Sequence, residues 1–416
     1  MTQTAGGGMP PTSFPKDQIK VLLLENINLT AVEAFRVEGF QVEQVKTALK
    51  EDELKKKVAD VHLLGIRSKT QVTPAVLAEA KRLISLGAFC IGTNQIALDD
   101  ANTRGIPVFN APFSNTRSVA EMILAEIVML ARQLGDRVQE VHKGEWKKVS
   151  ANCYEVRGKT LGIVGYGHIG TQIGVLAEAL GMRVIFYDIM AKLPLGNAQP
   201  RNTLRELLQE ADFVTMHVPE TPQTKNMIGG AELQAMKKGA YLLNASRGTV
   251  VVIPALVEAL KTGHLAGAAI DVFPTEPEGH TKEFRVDLQG LPNVIMTPHI
   301  GGSTEEAQAA IGKEVSAALI KYMNAGATTG SVNFPIVELP QAPGKHRILN
   351  VHRNVPGVLK DINRIVSDLN ANIHSQVLST DPNIGYLIMD LDQDVSNDVR
   401  KAVASLSTSI KTRILY

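Results

Sequence analysis

Thr160-Leu-Gly-Ile-Val-Gly-Tyr-Gly-His-Ile-Gly170 carries a short apolar run into Gly165-x-Gly167-x-x-Gly170 and then into a helix-period segment through Leu180. A strand that meets this glycine pattern and then a helix is the first turn of a dinucleotide-binding βαβ unit. Gly165 allows the tight turn, Gly167 lets the backbone approach a pyrophosphate, and Gly170 permits close helix packing, so helix-terminal N–H groups face the phosphates. The next strand-like run, RVIFYD, ends in Asp188, near the spacing of ~20 residues at which a carboxylate accepts hydrogen bonds from the adenine ribose. NAD is expected rather than NADP. A 2'-phosphate would meet like charge at Asp188, and the nearest cation, Lys192, lies several residues on. His168, inside the turn, reads as a backbone-positioned loop residue.

Working outward, the same rhythm recurs on both sides. Before the turn, IKVLLLEN (19–26), VHLLGIRS (61–68) and AFCIG (88–92) read as strands, with a helical pattern over 75–84 and a longer helix over 118–134. After it come DFVTMHV, AYLLNA, AAIDVF and NVIMTP, near-continuous apolar strands of the kind a parallel sheet covered by helices on both faces requires. A helical pattern over 304–323 leads into NAGATTGSVNFPIVELPQAPGK, dense in Gly, Pro, Ala and Thr, which reads as a linker. The remaining residues follow the order βαββαβ, suited to a ferredoxin-like module of about 70 residues.

The 416 residues suggest two to three domains at ~150 residues each. With 43 basic against 42 acidic residues, the net charge of +1 gives no electrostatic footprint for nucleic acid or an anionic membrane. Two cysteines, Cys90 and Cys153, cannot build a disulfide framework, and neither has a partner at metal-ligand spacing, so no metal is expected. No apolar run reaches the ~18 residues of a membrane span, and the Gly/Pro/Thr-rich N-terminus lacks a basic segment followed by an apolar one. A soluble, cytoplasmic protein with a flexible tail over 1–18 is the expectation.

Three strand ends carry polar groups that an apolar strand does not need: Asn244-Ala-Ser-Arg247, Asp271-Val-Phe-Pro-Thr-Glu276 and Thr297-Pro-His299-Ile-Gly-Gly302. Ligands of open parallel sheets sit beyond the carboxyl ends of the strands, so these groups can converge. Oxidising a secondary alcohol beside a carboxylate needs a cation for the acid, a base for the hydroxyl proton and a hydride acceptor. Arg247 can fork onto the carboxylate, and His299 can take the proton. Glu276, hydrogen-bonded to His299, would raise the histidine pKa.

These segments, with HVPETPQTKNMIG, NASRGTVV, GAAIDVFPTEP and TPHIGGST, resemble the D-isomer-specific 2-hydroxyacid dehydrogenase family over 19–416. The resemblance implies catalysis by Arg247, Glu276 and His299. It implies an NAD site lined by Gly165, Gly167, His168, Ile169, Gly170, Asp188, Ala245, Ser246, Arg247, Asp271, His299, Ile300, Gly301 and Gly302. It also implies a Rossmann-type NAD-binding domain over 115–302, inserted in a flavodoxin-like substrate domain made of 19–114 and 303–343. Val252 stands where close relatives carry Asp, a helix-capping position.

Arg67, Ser68 and Lys69 end a strand beside a helix N-terminus, a plausible anion cradle. In the relatives that this chain resembles most, these positions and Lys148, reaching across a subunit boundary, help to hold a substrate phosphate. The module over 344–416 is similar to an ACT domain, an amino-acid-sensing fold. In serine-inhibited relatives the positions of His352, Asn354 and Asn372 bind L-serine between paired modules, although Arg353 stands where relatives often carry Glu. The implied activity is oxidation of 3-phospho-D-glycerate (3-phosphoglycerate) to 3-phosphooxypyruvate, the first step towards L-serine, by a feedback-inhibited homotetramer with a 2-oxoglutarate reductase side activity. The rival readings are another D-2-hydroxyacid dehydrogenase, or an NAD-sensing corepressor.

Overall fold

The computed structural model describes residues 13–277, 281–392 and 395–416, and its chain divides into two compact units: 1–114 with 308–416, and 115–307. Of the expected flexible tail, residues 1–12 lie outside the described residues. Residues 13–18 are held: Lys16–Gln18 forms a 3-10 turn, Lys16 pairs with Glu38 at 2.7 Å, and Phe14 lies against the His62 ring.

The first unit opens with five parallel strands: β1 (Lys20–Leu23), β2 (Gln41–Gln44), β3 (Leu63–Ile66), β4 (Ser85–Ala88) and β5 (Val108–Phe109). Their order, β2-β1-β3-β4-β5, is that of flavodoxin-like folds. Helices α1 (Leu29–Val37), α2 (Glu51–Val58), α3 (Pro74–Glu79) and α4 (Leu98–Thr103) join them. The expected helix over 75–84 stops at Glu79, because Ala80 leaves helical space (φ −79°, ψ 55°) and the chain turns at Leu83. The strand expected at 88–92 therefore lies earlier, at 85–88. Its polar Ser85 is satisfied by the Pro107 carbonyl at 2.8 Å.

In the second unit α5 (Thr116–Arg132) and α6 (Leu134–His142) precede seven parallel strands: β6 (Thr160–Val164), β7 (Arg183–Tyr187), β8 (Gln199–Pro200), β9 (Phe213–Met216), β10 (Ala240–Asn244), β11 (Leu265–Ile270) and β12 (Val294–Met296). Helices α7 (His168–Ala179), α8 (Leu204–Glu210), α9 (Gly230–Ala235) and α10 (Ile253–Lys261) connect them. The order β12-β11-β10-β9-β6-β7-β8 reverses between β6 and β9, the switch point at which Rossmann-type sheets bind their ligands. Both faces are covered by apolar clusters, one built on Leu207, Leu242 and Leu256 and the other on Ile123, Ile163 and Ile173. This explains the near-continuous apolar strands.

Helix α11 (Glu305–Ala325) is followed by the segment read as a linker, which is a packed strap. Asn333 accepts from the Val108 N–H at 2.8 Å and donates to the Ile106 carbonyl at 3.1 Å, while Val332 donates to the Val108 carbonyl. Phe334 and Val337 are buried, the former adding about 1.5–3 kcal/mol. Gly and Pro density marked irregular backbone, not mobility.

The C-terminal module is β13 (His346–Arg353), α12 (Val358–Asp368), β14 (Ile373–Thr380), β15 (Ile384–Leu391), α13 (Ser396–Ala404) and β16 (Ser409–Leu415), an antiparallel sheet ordered β14-β15-β13-β16. One face packs on its own helices through Ile348, Leu387 and Met389. The other face contributes Leu349, Val351, Tyr386 and Ile388 to the core that holds Phe109 and Tyr322 of the first unit. Among the described residues no helix is long and apolar enough to cross a membrane.

Candidate active site

The turn after β6 is fixed by its glycines. Gly165 has φ +92°, and a side chain there would collide with the His217 carbonyl beyond β9; one at Gly170 would strike the Gly165 carbonyl. A side chain at Gly167 would meet nothing within 4 Å. Backbone is thus packed tightly on one side of the turn and left open where a pyrophosphate would approach the first N–H groups of α7, so the residues fit a dinucleotide. Asp188 accepts from the Tyr166 N–H (2.8 Å) and the Met190 N–H (2.9 Å), which fixes its carboxylate at the end of β7. A cavity of about 600 Å³ lined by Gly167, His168, Arg117 and Lys192 lies along this turn.

Three strand ends beyond β10, β11 and β12 form the catalytic candidate. Asn244 accepts from the Ser246 N–H (3.1 Å) and hydroxyl (2.8 Å) and donates to the Arg247 carbonyl, turning the chain so that Arg247 leaves the sheet. Arg247 also donates to the Ser246 carbonyl at 2.7 Å. Gly248 lies against the Phe273 backbone, where any side chain would clash, so the loops carrying Arg247 and Glu276 can approach. Glu276 accepts from the Phe273 N–H (3.1 Å) with one oxygen and meets His299 Nδ1 at 2.8 Å with the other.

His299 adopts φ +55°, uncommon for a residue other than glycine. Asp271 holds it there. Its carbonyl accepts from the His299 N–H at 2.8 Å, while its carboxylate accepts from the Thr297 hydroxyl (2.6 Å) and the N–H groups of Ile300 (2.8 Å) and Gly301 (2.9 Å). Asp271 is 2% exposed. In this arrangement it organises the histidine turn, a contribution that its place in the sequence did not reveal.

The hydrogen bond that His299 donates to Glu276 raises the His299 pKa above its ordinary 6.5, with the negative charges of Glu276 and Asp271 adding to it against burial and Arg247. For Glu276 itself burial pushes upward, but the bond and charge of His299 outweigh it and hold the carboxylate below its usual range. Beneath the turn, burial and then the charge of Asp271 push Glu126 of α5 up to about 8, leaving it neutral at pH 7.

Arg67, Ser68 and Lys69 follow β3 in the first unit, half-buried to exposed, and Lys148 is exposed after α6 in the second unit. The helix N-terminus beside the 67–69 loop is capped by the Thr73 hydroxyl on Val76 N–H at 3.3 Å. In the C-terminal module His352 is buried, its Nδ1 at 2.9 Å from Asn350 Oδ1, whereas Asn354 and Asn372 are exposed. Among the described residues no three His, Cys, Asp or Glu side chains cluster to hold a metal ion.

Residues 124–301 match the family model for the D-isomer specific 2-hydroxyacid dehydrogenase NAD binding domain, and 348–411 match an AHAS small subunit-like ACT domain. The chain belongs to the D-isomer specific 2-hydroxyacid dehydrogenase family, carrying its NAD-binding domain and a C-terminal ACT domain. Within that family it is 57% identical to D-3-phosphoglycerate dehydrogenase of Dictyostelium discoideum, covering 98% of this chain and 100% of that protein. It is 53% identical to D-3-phosphoglycerate dehydrogenase 1 of Saccharomyces cerevisiae, over 97% and 89%. The D-lactate dehydrogenase structure of Aquifex aeolicus, complexed with NAD and lactic acid, aligns with a TM-score of 0.66 at 29% identity, over 76% of this chain and 99% of that one.

Proposed function

We propose that this chain is an NAD-dependent dehydrogenase that oxidises 3-phospho-D-glycerate to 3-phosphooxypyruvate, the first step towards L-serine. The observation that carries the chemistry is the Glu276–His299 pair at 2.8 Å, on strand ends that also present Arg247. The near-full-length relatives named D-3-phosphoglycerate dehydrogenase support the substrate.

In this reading Arg247 binds the substrate carboxylate and C2 oxygen. Glu276 accepts from His299 Nδ1–H, which leaves Nε2 as the ring's acceptor for the C2 hydroxyl proton. The imidazolium so formed is stabilised by the Glu276 carboxylate, and in the reductive direction it returns the proton. NAD, when bound, supplies the hydride acceptor. Gly167 and the first N–H groups of α7, at His168 and Ile169, would take its pyrophosphate, with Gly165 and Gly170 closing the turn beneath them, and Asp188 would take its ribose. Ala245, Ser246, Ile300, Gly301 and Gly302 line the nicotinamide end, with Asp271 setting the shape of the last three. Arg67, Ser68 and Lys69 meet the substrate phosphate, with Lys148 supplied by a neighbouring subunit, and reduction of 2-oxoglutarate is a side activity.

The ACT domain supports regulation by an amino acid. We assign L-serine as the inhibitor, bound by His352, Asn354 and Asn372 in a cytoplasmic homotetramer. The test is NADH formation with 3-phosphoglycerate, with and without L-serine. Turnover with 3-phosphoglycerate and none with D-lactate is expected; the reverse overturns the substrate. Asn354→Ala should abolish inhibition by serine and leave uninhibited turnover within twofold, and full inhibition of that variant would remove the site.

A further inference from the structure

Glu25 lies in the turn just past the end of β1, the strand that neighbours β3, whose end carries Arg67. The residue is 8% exposed, a degree of burial that glutamate seldom reaches unless its carboxylate is paired. Three backbone N–H groups of one loop donate to it: Arg67 (3.1 Å) and Thr70 (2.9 Å) to Oε1, and Lys69 (3.1 Å) to Oε2. From the opposite side, Gln95 Nε2 donates to the Arg67 carbonyl at 2.7 Å. The loop is therefore clamped through both its N–H and its C=O groups.

Successive N–H groups converging on one point form a concave nest that binds anions, so this loop could have received a phosphate on its backbone. Glu25 fills the nest instead. What stays half-buried or exposed to a ligand is the Arg67 and Lys69 side chains. Glu25 and Asn26 hold consecutive left-handed conformations (φ +60° and +53°), tied by their N–H groups to the Thr47 and Val45 carbonyls at 3.2 Å. Backbone strain of this kind persists where surrounding structure enforces it, and it concentrates at functional sites.

We propose that Glu25 is a positioning residue for phosphate recognition: it occupies the loop's amides, fixes the backbone from which Arg67 and Lys69 extend, and leaves the phosphate to those two cations. This rests on the reading above that the 67–69 loop meets the substrate phosphate. In Glu25→Gln the shape is kept, but an amide NH₂ faces one of the three N–H donors, so the nest is unsatisfied.

The experiment is steady-state kinetics of the full-length enzyme. Glu25→Gln should raise KM for 3-phosphoglycerate about tenfold, the order expected on losing a hydrogen bond to a charged group. Its kcat and its KM for NAD should stay within twofold of the parent. Glu25→Asp, which keeps the charge but is one methylene too short to meet all three donors, should show a smaller rise in the same constant and serves if the Gln variant does not fold. Arg67→Ala separates the two levels. If it leaves KM for 3-phosphoglycerate unchanged, the loop is not the phosphate site and the underlying reading fails. If Arg67→Ala raises KM while folded Glu25 variants do not, the inference alone is overturned. A fall in kcat with a parallel rise in KM for NAD would likewise overturn it, by making Glu25 a purely structural support.

Discussion

A histidine that takes a proton from an alcohol must be neutral beforehand and must tolerate charge afterwards. In the proposed reaction the Glu276–His299 bond serves the second requirement at some cost to the first. Because the hydrogen bond and charge of Glu276 raise the His299 pKa, the fraction of neutral base falls as pH drops through a value above 6.5. Oxidation, read as kcat/KM against pH, should therefore lose activity on an acid limb set by His299. In Glu276→Gln the ring loses that charged partner, so the limb should move to lower pH while the plateau drops by about tenfold or more. A limb that stays in place would show that another group titrates. Arg247 and Asp271 act oppositely on the same ring, the cation lowering and the anion raising its pKa, so the site is balanced by neighbours rather than by burial alone.

At the scale of elements, α10 begins without a side-chain cap. Val252 is its N-cap residue and Pro254 occupies the first turn. An aspartate at 252 could accept from the Ala255 N–H, since proline has none to offer, and would add about 1 kcal/mol. Val252→Asp is expected to raise Tm by roughly 1–2 °C with turnover unchanged, as scanning calorimetry would read; an equal or lower Tm would refute it. The parts legible in the sequence were those with a period or a fixed spacing. The glycine turn, the alternating strands and helices, and the Arg, Glu and His strand ends could all be read that way. The hold of Asp271 on the histidine turn, and Glu25 altogether, were not readable in this sense. Their hydrogen bonds reach backbone groups many residues away, and no local pattern encodes such a partner. Glu25 does leave a faint signal, an acid closing an otherwise apolar strand. The 324–345 strap was misread because irregular backbone and loose backbone share a composition, and what separates them are bonds such as those of Asn333 and the burial of Phe334 and Val337.

On the scale of the whole chain, the C-terminal module is joined to the first sheet by more than contact between apolar faces. Lys411 of β16 donates to the Leu83 carbonyl at 2.8 Å, and Asn102 of α4 donates to Asp381 at 2.7 Å. Burial, with Arg413 adding to it, pulls the Lys411 pKa down to about 7 from 10.5. Between those values the unfolded chain holds the proton and the folded chain does not, so this residue's penalty is greatest below pH 7 and relaxes as pH rises. Lys411→Met should melt above the parent at pH 6, with the gap shrinking by pH 9; a gap independent of pH would contradict the buried-ammonium account.

The shared placement of Tyr386, Ile388, Phe109 and Tyr322 has a consequence for how such an enzyme can change over time. A sensor hung on a tether can be dropped by a stop codon, and the catalyst survives. Here a stop codon before His346 would leave an oily wall facing water, so loss of the proposed feedback response is open to point changes in the module but closed to truncation.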